Sequence, residues 1–435
     1  MIAPPLENQT IVDRAGQERR VLETRQSRKA VLNNPFLSLK HKNYRYYFFG
    51  MCISTIGTWM QNTAQPWLAY SLTKSALLLS VVSALQFLPA LLFSLFAGVL
   101  IDRLPKKRML IITQSLSLLI TFALWLLARS GGIQYWHLLI TATLLGFVNT
   151  LDMPLRQAFV VEMVGHEDLM NAIALNSLTF NVARMIGPSI AGILMGAFGV
   201  SSCFLINSLS FVAVLISLFF IHPIPCDVPE ETSAQSVFAC IGDGLKYIFH
   251  NETLFITMLF MFVVSTFALN YGVTIPVFAT QVLGLTETGY GFLMSALGAG
   301  ALTGALVVAA LSKSGPRRFI LYFLPALTGL ILILIGNTNS FLTTSLSLAI
   351  GGFLFVTYLS TANSNLQIHT VDRYRGRVMS VYSLIVAGST PIGNLFVGAV
   401  DNWFGARMGF ILSGIVVMVL IIPLYLLMFA RRDRA

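Results

Sequence analysis

Three charged residues stand inside apolar sequence: Asp152, Arg156 and Arg184. Asp152 and Arg156 are four residues apart, so on a helix they share a face and can form an ion pair. A carboxylate beside a guanidinium can also take up a proton, and the loss of its charge releases the guanidinium. An ionisable group inside an apolar span costs several kcal/mol unless it is paired or hydrated, so something must hold each of the three. Asn149 precedes them. The run Arg184-Met-Ile-Gly187-Pro188-Ser-Ile-Ala-Gly192 follows, and its small residues and proline permit close helix approach and a local bend. Plain small-residue packing accounts for that run as well as a functional seal does.

The elements that must position these residues are membrane spans. The chain has 435 residues, 56% hydrophobic and 11% charged, where a soluble domain carries about 25% charged residues. Its mean hydropathy is +0.76. Apolar runs long enough to cross a hydrocarbon layer of about 30 Å recur at 46–71, 77–101, 108–128, 137–159, 170–195, 201–221, 253–280, 288–311, 317–335, 341–368, 377–400 and 406–430. The expectation is an all-α polytopic membrane protein with twelve transmembrane helices. A cytoplasmic tail and lead-in (1–45) precedes a first six-helix bundle (46–221). A connector (222–252) leads to a second bundle (253–430) and a short tail (431–435). The second half of the connector spaces Val237, Phe238, Ile241, Leu245, Ile248 and Phe249 as an amphipathic helix for the membrane surface. An ordinary solvated linker helix fits the same pattern.

The formal charge of +10 is a topology signal. With both termini inside, 24 of the 28 lysines and arginines fall on the cytoplasmic side, three (Lys74, Arg129, Arg407) on the other, and Arg184 within the membrane. That asymmetry removes nucleic acid as a partner and places the chain in the cell's inner, cytoplasmic membrane. The four cysteines and six histidines have no metal-ligand spacing, and no Gly-x4-Gly-Lys-[Ser/Thr] or His-Glu-x-x-His occurs. An ATP-driven pump, a metal site and a membrane enzyme are therefore not expected, nor is any cofactor. No ring of like charge or filter loop suggests a channel. The halves also resemble each other. A shift of 206 residues lays Ser177-Leu178 on Ser383-Leu384, Ile186-Gly187 on Ile392-Gly393, Gly192 on Gly398 and Phe198-Gly199 on Phe404-Gly405. Duplicated units of this kind build secondary transporters.

At this point the chain resembles the major facilitator superfamily over essentially its whole length. Gly98-Val-Leu-Ile-Asp102-Arg103-Leu-Pro-Lys106-Lys107-Arg108 is similar to the family's loop between spans two and three, with Pro105 where glycine is usual. Arg184-x-x-Gly187-Pro188-x-x-Ala191-Gly192 is similar to the span-five motif associated with antiporters. Asp152-Met-Pro154-Leu-Arg156-Gln157-Ala-Phe, Glu167-Asp168-Leu-Met-Asn171-Ala172-Ile-Ala-Leu-Asn176 and Ile56-Gly57-Thr58-Trp59-Met60-Gln61 resemble the enterobactin-exporter-like branch, the transmembrane secretion effectors. The resemblance implies two pseudo-symmetric six-helix bundles around a central cavity. It also implies secondary transport, with efflux by proton antiport.

Roles follow for single residues. Gly98, Asp102 and Arg103 at the end of span two, meeting the start of span eleven at Arg377, would form a latch that closes only in the outward-facing state, worth about 0.3–2 kcal/mol. Asp152 and Arg156 are either a structural pair or part of a relay with Arg103 or Arg184, and pairing of Asp152 with Arg184 is the expectation. Trp59, Asn62, Gln65, Asn149, Asn270, Tyr271, Tyr358, Asn363 and Gln367 would line the cavity or else bond between helices, and His369 is a further proton-carrier candidate. A largely neutral cavity suits a small amphipathic organic molecule, siderophore or drug-like, exchanged for protons. A lipid or lysophospholipid transporter of the same fold is the alternative. Protons, the small-molecule substrate and membrane lipids are the expected partners, and the chain is expected to be a monomer.

Overall fold

A computed structural model describes residues 36–165, 167–222, 237–311 and 318–432; the side chains of 95–103, 237–241, 318, 372–373 and 427–432 lie outside the described residues. In hydrocarbon every backbone N–H and C=O must be satisfied within the chain, which selects helices. The described regular structure is helical throughout. After a 3₁₀ turn at Leu37–Lys40, the first half holds α1 Lys42–Thr73, α2 Ala76–Arg103, α3 Lys106–Arg129, α4 Tyr135–Val164, α5 Leu169–Phe198 and α6 Ser201–Phe220. A connector helix, α7 Val237–His250, follows. The second half holds α8 Glu252–Phe267, α9 Tyr271–Gln281, α10 Glu287–Leu311, α11 Arg318–Gly336, α12 Phe341–Ile368, α13 Asp372–Gly388, α14 Thr390–Phe404 and α15 Ala406–Arg432.

Eleven segments among the described residues are long and apolar enough to cross a membrane. The first helix packs as the twelfth, but Lys42, Asn43, Arg45, Gln61, Asn62 and Gln65 dilute its hydropathy. Spans seven and eleven, expected as continuous, are each broken, between α8 and α9 at 268–270 and between α13 and α14 at Ser389. Pro391 sits in the first turn of α14, where a missing N–H costs a new helix nothing but cannot continue an old one.

Lipid tails are as apolar as leucine, so packing between spans depends on close backbone approach and polar contacts. A Cβ on Gly146 of α4 would lie 2.4 Å from the Gln86 carbonyl of α2. In the second half, a Cβ on Gly352 of α12 would lie 2.1 Å from the Leu297 carbonyl of α10. The apolar core is continuous across the halves at one face, where Leu68, Tyr70, Leu79 and Met195 join Phe278, Tyr290 and Leu293. Toward the other face, a separate cluster of Tyr44, Tyr47, Leu155, Phe159 and Leu218 belongs to the first half alone. That second face carries the lead-in, the connector helix and most of the described basic residues, and is called the basic face below.

Two pieces brace the basic face. The lead-in docks on the α4–α5 turn. The Ser38 amide donates to Asn171 Oδ1 at 2.9 Å, and Lys40 and His41 each meet Asp168 at 2.7 Å. Burial pushes the Asp168 carboxyl up, but the hydrogen bonds from Lys40 and His41 outweigh it and hold the group below its usual value. The connector helix docks on the second half. Asp243 accepts from Arg377 at 3.0 Å, and Tyr247 stacks on Tyr374 with ring centroids 4.4 Å apart.

Candidate functional site: a cleft roofed between the halves

The halves touch along two seams, and the described contacts lie at mid-depth and at the face opposite the basic one. Along the α5–α10 seam, the Ser189 hydroxyl donates to Ser295 at 2.6 Å, and Thr288 donates to the Gly192 carbonyl at 3.1 Å. Glycines let these backbones meet: a Cβ on Gly291 would lie 2.5 Å from the Pro188 carbonyl, and one on Gly298 would lie 2.4 Å from the Arg184 carbonyl. Along the α2–α14 seam, Gly398 faces Ser80, and the Ser75 hydroxyl donates to Asn402 at 2.9 Å. Trp67 stacks on Tyr290 with centroids 5.2 Å apart, and Gln281 donates to the Tyr70 hydroxyl at 3.1 Å. Toward the basic face, polar residues are exposed instead: Asn149 and Gln157 on α4, Ser177 on α5, Ser364 and Gln367 on α12. Exposed amides and hydroxyls at membrane depth belong against water rather than lipid. The arrangement is a cleft open to the basic face and roofed at mid-depth.

The antiporter-like motif therefore splits its work. Gly187 faces Trp59 of its own half, where a Cβ would lie 2.7 Å from the Trp59 Cβ, while Pro188 and Gly192 form the roof against α10.

The expected pairing of Asp152 with Arg184 does not form. Asp152 Oδ1 accepts from Thr113 and from Gln114 of α3, each at 2.7 Å, and its other oxygen accepts from Arg156 Nε. Arg156 also reaches Met51 and Tyr47 of α1. Asp152 is 5% exposed, so this network ties α1, α3 and α4 inside the first half. The i,i+4 partner and two uncharged donors already satisfy the carboxylate, and Arg184 projects from a different face of α5. This arrangement supports the structural reading of the pair. Thr113 and Gln114 escaped the sequence reading because nothing local marks a threonine and a glutamine on one helix as partners of an acid on the next.

Arg184 lies instead over the Trp59 ring, its guanidinium carbon 5.6 Å from the centroid, and Phe180 meets the same ring edge-on at 5.5 Å. It is half-buried, directly beneath the roof. Tyr271 of the second half lies within its electrostatic reach. A cation–π contact supplies about 0.5–2 kcal/mol. That falls short of the several kcal/mol needed by a charge in apolar surroundings.

The other expected cavity residues separate by burial. Asn62, Asn149 and Gln367 are exposed, Trp59 and Asn363 half-buried, and Gln65, Asn270, Tyr271 and Tyr358 buried. Gln65 accepts from Gln61 at 3.3 Å, and Gln61 accepts from Asn207 of α6 at 2.6 Å, an amide chain inside the first half. Asn270 packs against Gly393 of α14 at the break in span seven. Tyr358 is 1% exposed, within electrostatic reach of Tyr322, Tyr382 and Tyr425, so it lies within the second half rather than on the cleft wall. Asn363 accepts from Gln367 at 2.5 Å. His369 bonds the Asn365 carbonyl at 2.9 Å, closing the end of α12. The side chains of Gly98, Asp102 and Arg103 lie outside the described residues. The remaining latch residue, Arg377, bonds Asp243 of the connector.

The sequence reading passed over Asp401. Its expected span ended at 400, which left the residue in a loop, but α14 runs on to Phe404. Asp401 is 2% exposed, and neither carboxyl oxygen has a hydrogen-bond partner. Thr274 of α9 stands beside it, outside good hydrogen-bond geometry. Gly409 of α15 makes the room: a Cβ there would lie 1.7 Å from Asp401 Oδ1.

Comparison with known proteins agrees with this architecture. The sequence pattern of the family described as transmembrane secretion effector matches residues 33–434. The staphyloferrin A transporter of Staphylococcus aureus is 27% identical, the match covering 85% of this chain and 92% of the relative. The multidrug efflux pump Tap of Mycolicibacterium fortuitum is 24% identical, covering 83% and 90%. Among solved structures, the nucleoside transporter NupG superposes with a TM-score of 0.71 at 12% identity, covering 90% of this chain and 99% of that one. A bacterial homologue of the human lysosomal transporter Spinster, inward-facing and unoccupied, superposes with a TM-score of 0.71 at 11% identity, covering 88% and 96%. These likenesses show the fold. Twelve spans in two bundles, a glycine-lined roof and a family pattern covering nearly the whole chain agree: this is a membrane transporter, not an enzyme, and it belongs to the transmembrane secretion effector family of the major facilitator superfamily.

Proposed function

We propose that the protein exports a small amphipathic organic molecule from the cytoplasm by alternating access, in exchange for protons. The observation that carries this reading is the cleft. It opens on the basic face, which is the cytoplasmic face by the distribution of lysine and arginine, and aromatic and amide side chains line it below a roof of close glycine contacts. Such a site suits a ligand that is partly apolar and bonded at a few points. The relatives named for siderophore and drug transport support the substrate class.

The proton side of the exchange falls on Asp401. A buried carboxylate without a partner is costly, and a proton removes that cost. The facing elements bring no compensating cation among the described residues. Arg407 of α15 donates to the Gly336 and Thr338 carbonyls at 3.1 and 3.2 Å, and to Asn339. Lys74, in the turn before α2, is exposed. From α9 come Thr274 and Tyr271, α8 carries charge only at Glu252 in its first turn, and α2 only at Asp102 and Arg103 at its far end. Asp401 sits one residue from Asn402 and three from Gly398, both in the α2–α14 seam. Ionisation there would favour opening of the seam to water, and protonation would favour its closure.

The test uses inverted membrane vesicles holding the protein and the fluorescent amphiphile dansylglycine as transported probe. A proton gradient, acid inside, should drive dansylglycine into wild-type vesicles. Asp401→Asn should lose the gradient-driven accumulation and keep gradient-free exchange of the probe. Accumulation by Asp401→Asn equal to wild type would remove the residue from coupling. Wild-type transport indifferent to the gradient would overturn proton exchange.

A further inference from the structure

Among the described residues, Arg184 is a charge without a counter-charge. Each described carboxylate inside or beside the spans is engaged or stands elsewhere. Asp152 is held by Arg156, Glu162 by Lys106 at 2.7 Å, Asp168 by Lys40 and His41, and Asp243 by Arg377, while Glu167 lies in the α4–α5 turn and Glu252 and Glu287 begin α8 and α10. Asp401 is enclosed by α9 and α15. Among the described residues none forms an ion pair with Arg184. Its position is also unusual, because it lies on the α5 face that continues upward into the roof through Pro188. It therefore stands one helical turn from the Pro188 contact with α10.

A second unsatisfied group lies in the other half. The Tyr271 hydroxyl is buried without a hydrogen-bond partner, within electrostatic reach of Arg184. Gly351 of α12 leaves room for it, since a Cβ there would lie 2.9 Å from that oxygen. Arg184 belongs to the first half and Tyr271 to the second. Neither donor has an acceptor among the described residues, and an aromatic wall of Trp59 and Phe180 stands beside Arg184.

We infer that Arg184 and Tyr271 form an anion subsite at the roof of the cleft, specific for a carboxylate or similar oxyanion carried on an apolar or aromatic body. This names the substrate class within the proposed export function and rests on that reading of the cleft. A guanidinium presents paired N–H donors to a carboxylate in matching geometry. The hydroxyl adds a third donor from the opposite half, so a bound oxyanion would touch both halves at the point where they separate during alternation. The apolar body would lie against Trp59 and Phe180, where stacking does not depend on its detailed structure. A cleft otherwise lined by neutral amides thus acquires a preference by charge: anionic or zwitterionic molecules over neutral ones of the same shape.

Binding in detergent tests this without a gradient or a direction, so its outcome is independent of whether export and proton exchange are correct. The probes are dansylglycine, an aromatic sulfonamide with one carboxylate, and its neutral methyl ester, read by energy transfer from tryptophan. Wild-type protein should bind dansylglycine roughly tenfold to a hundredfold more tightly than the ester, the range expected for one buried charged hydrogen-bonding group. Arg184→Gln should erase that preference, weakening acid binding far more than ester binding. Arg184→Lys should restore part of it, since the charge remains but the paired donors do not. Tyr271→Phe should reduce it severalfold with the ring kept. Equal binding of acid and ester by wild type would overturn the subsite, as would an Arg184→Gln variant that still prefers the acid. If Arg184→Gln fails to fold, the Tyr271→Phe and Arg184→Lys comparisons decide the matter alone: an unchanged preference in both rejects the proposal.

Discussion

Adding one methyl group at Gly291 should turn the transporter toward its other conformation. In the structure, a Cβ at Gly291 would lie 2.5 Å from the Pro188 carbonyl oxygen, 2.7 Å from the Gly192 Cα and 2.9 Å from the Gly192 nitrogen. All three neighbours are backbone, so no rotamer change relieves the overlap, which reaches roughly an ångström inside ordinary contact. Overpacking of this kind costs about 1–3 kcal/mol. Once α5 and α10 part on the opposite face, the methyl meets nothing, so the cost falls on the roofed state alone. The equilibrium should then move by a factor of roughly 5–150. An opposite-facing conformer populated at about 1% would rise to roughly 5–60%. The assay is a spin-label distance measurement on a cysteine-free background with Phe198→Cys and Phe341→Cys, both on exposed ends of α5 and α12 at the opposite face. Gly291→Ala should transfer intensity from the short to the long distance. An unchanged distribution in a protein that melts like wild type would refute the assignment of this seam as the roof.

The Asp152 network predicts a stability effect. Asp152→Asn strands Arg156 inside the first half and should cost about 3–5 kcal/mol, read as a lower melting temperature in detergent, whereas Asp152→Leu with Arg156→Met should recover much of it. A variant that melts like wild type and changes only the pH dependence of transport would restore the relay reading. The lead-in predicts a pH effect. The Asp168 carboxyl is held below its usual value by Lys40 and His41. The stability it contributes is therefore complete above the unfolded carboxylate value of about 3.9 and lost as pH falls through the lower folded value. Solvent screening of exposed Lys40 limits each contact to at most about 1 kcal/mol. Proteolysis at the lead-in should accelerate in wild type only below about pH 4, and in Asp168→Asn it should be fast and flat with pH. A wild type equally resistant at pH 3 would reject the docking contact as the cause.

The amino-acid sequence alone determined a great deal. Apolar runs of span length admit only helices in hydrocarbon, so the number of spans was legible without any contact. The split of basic residues set the expected orientation, and the 206-residue repeat pointed to two like halves. The i,i+4 spacing of Asp152 and Arg156 placed them on one face and offered the pair, because that geometry is internal to one helix, but the structure decided between that pair and Arg184. Contacts between helices were another matter, because they depend on rotation and depth that no local pattern encodes. Arg184 faces Trp59 and Tyr271 rather than Asp152 because α5 turns that face to α1 and the second half. Tyr358 lies within the second half because α12 packs against α10 and α11 and turns this side chain toward the tyrosines of the second half. Asp401 became a buried acid only when α14 ran four residues past its expected end and Gly409 made room for it. A membrane chain discloses its spans through solubility, a property of each segment alone. Which charges meet and which remain unpaired is a property of pairs of segments, and only the tertiary structure decides it.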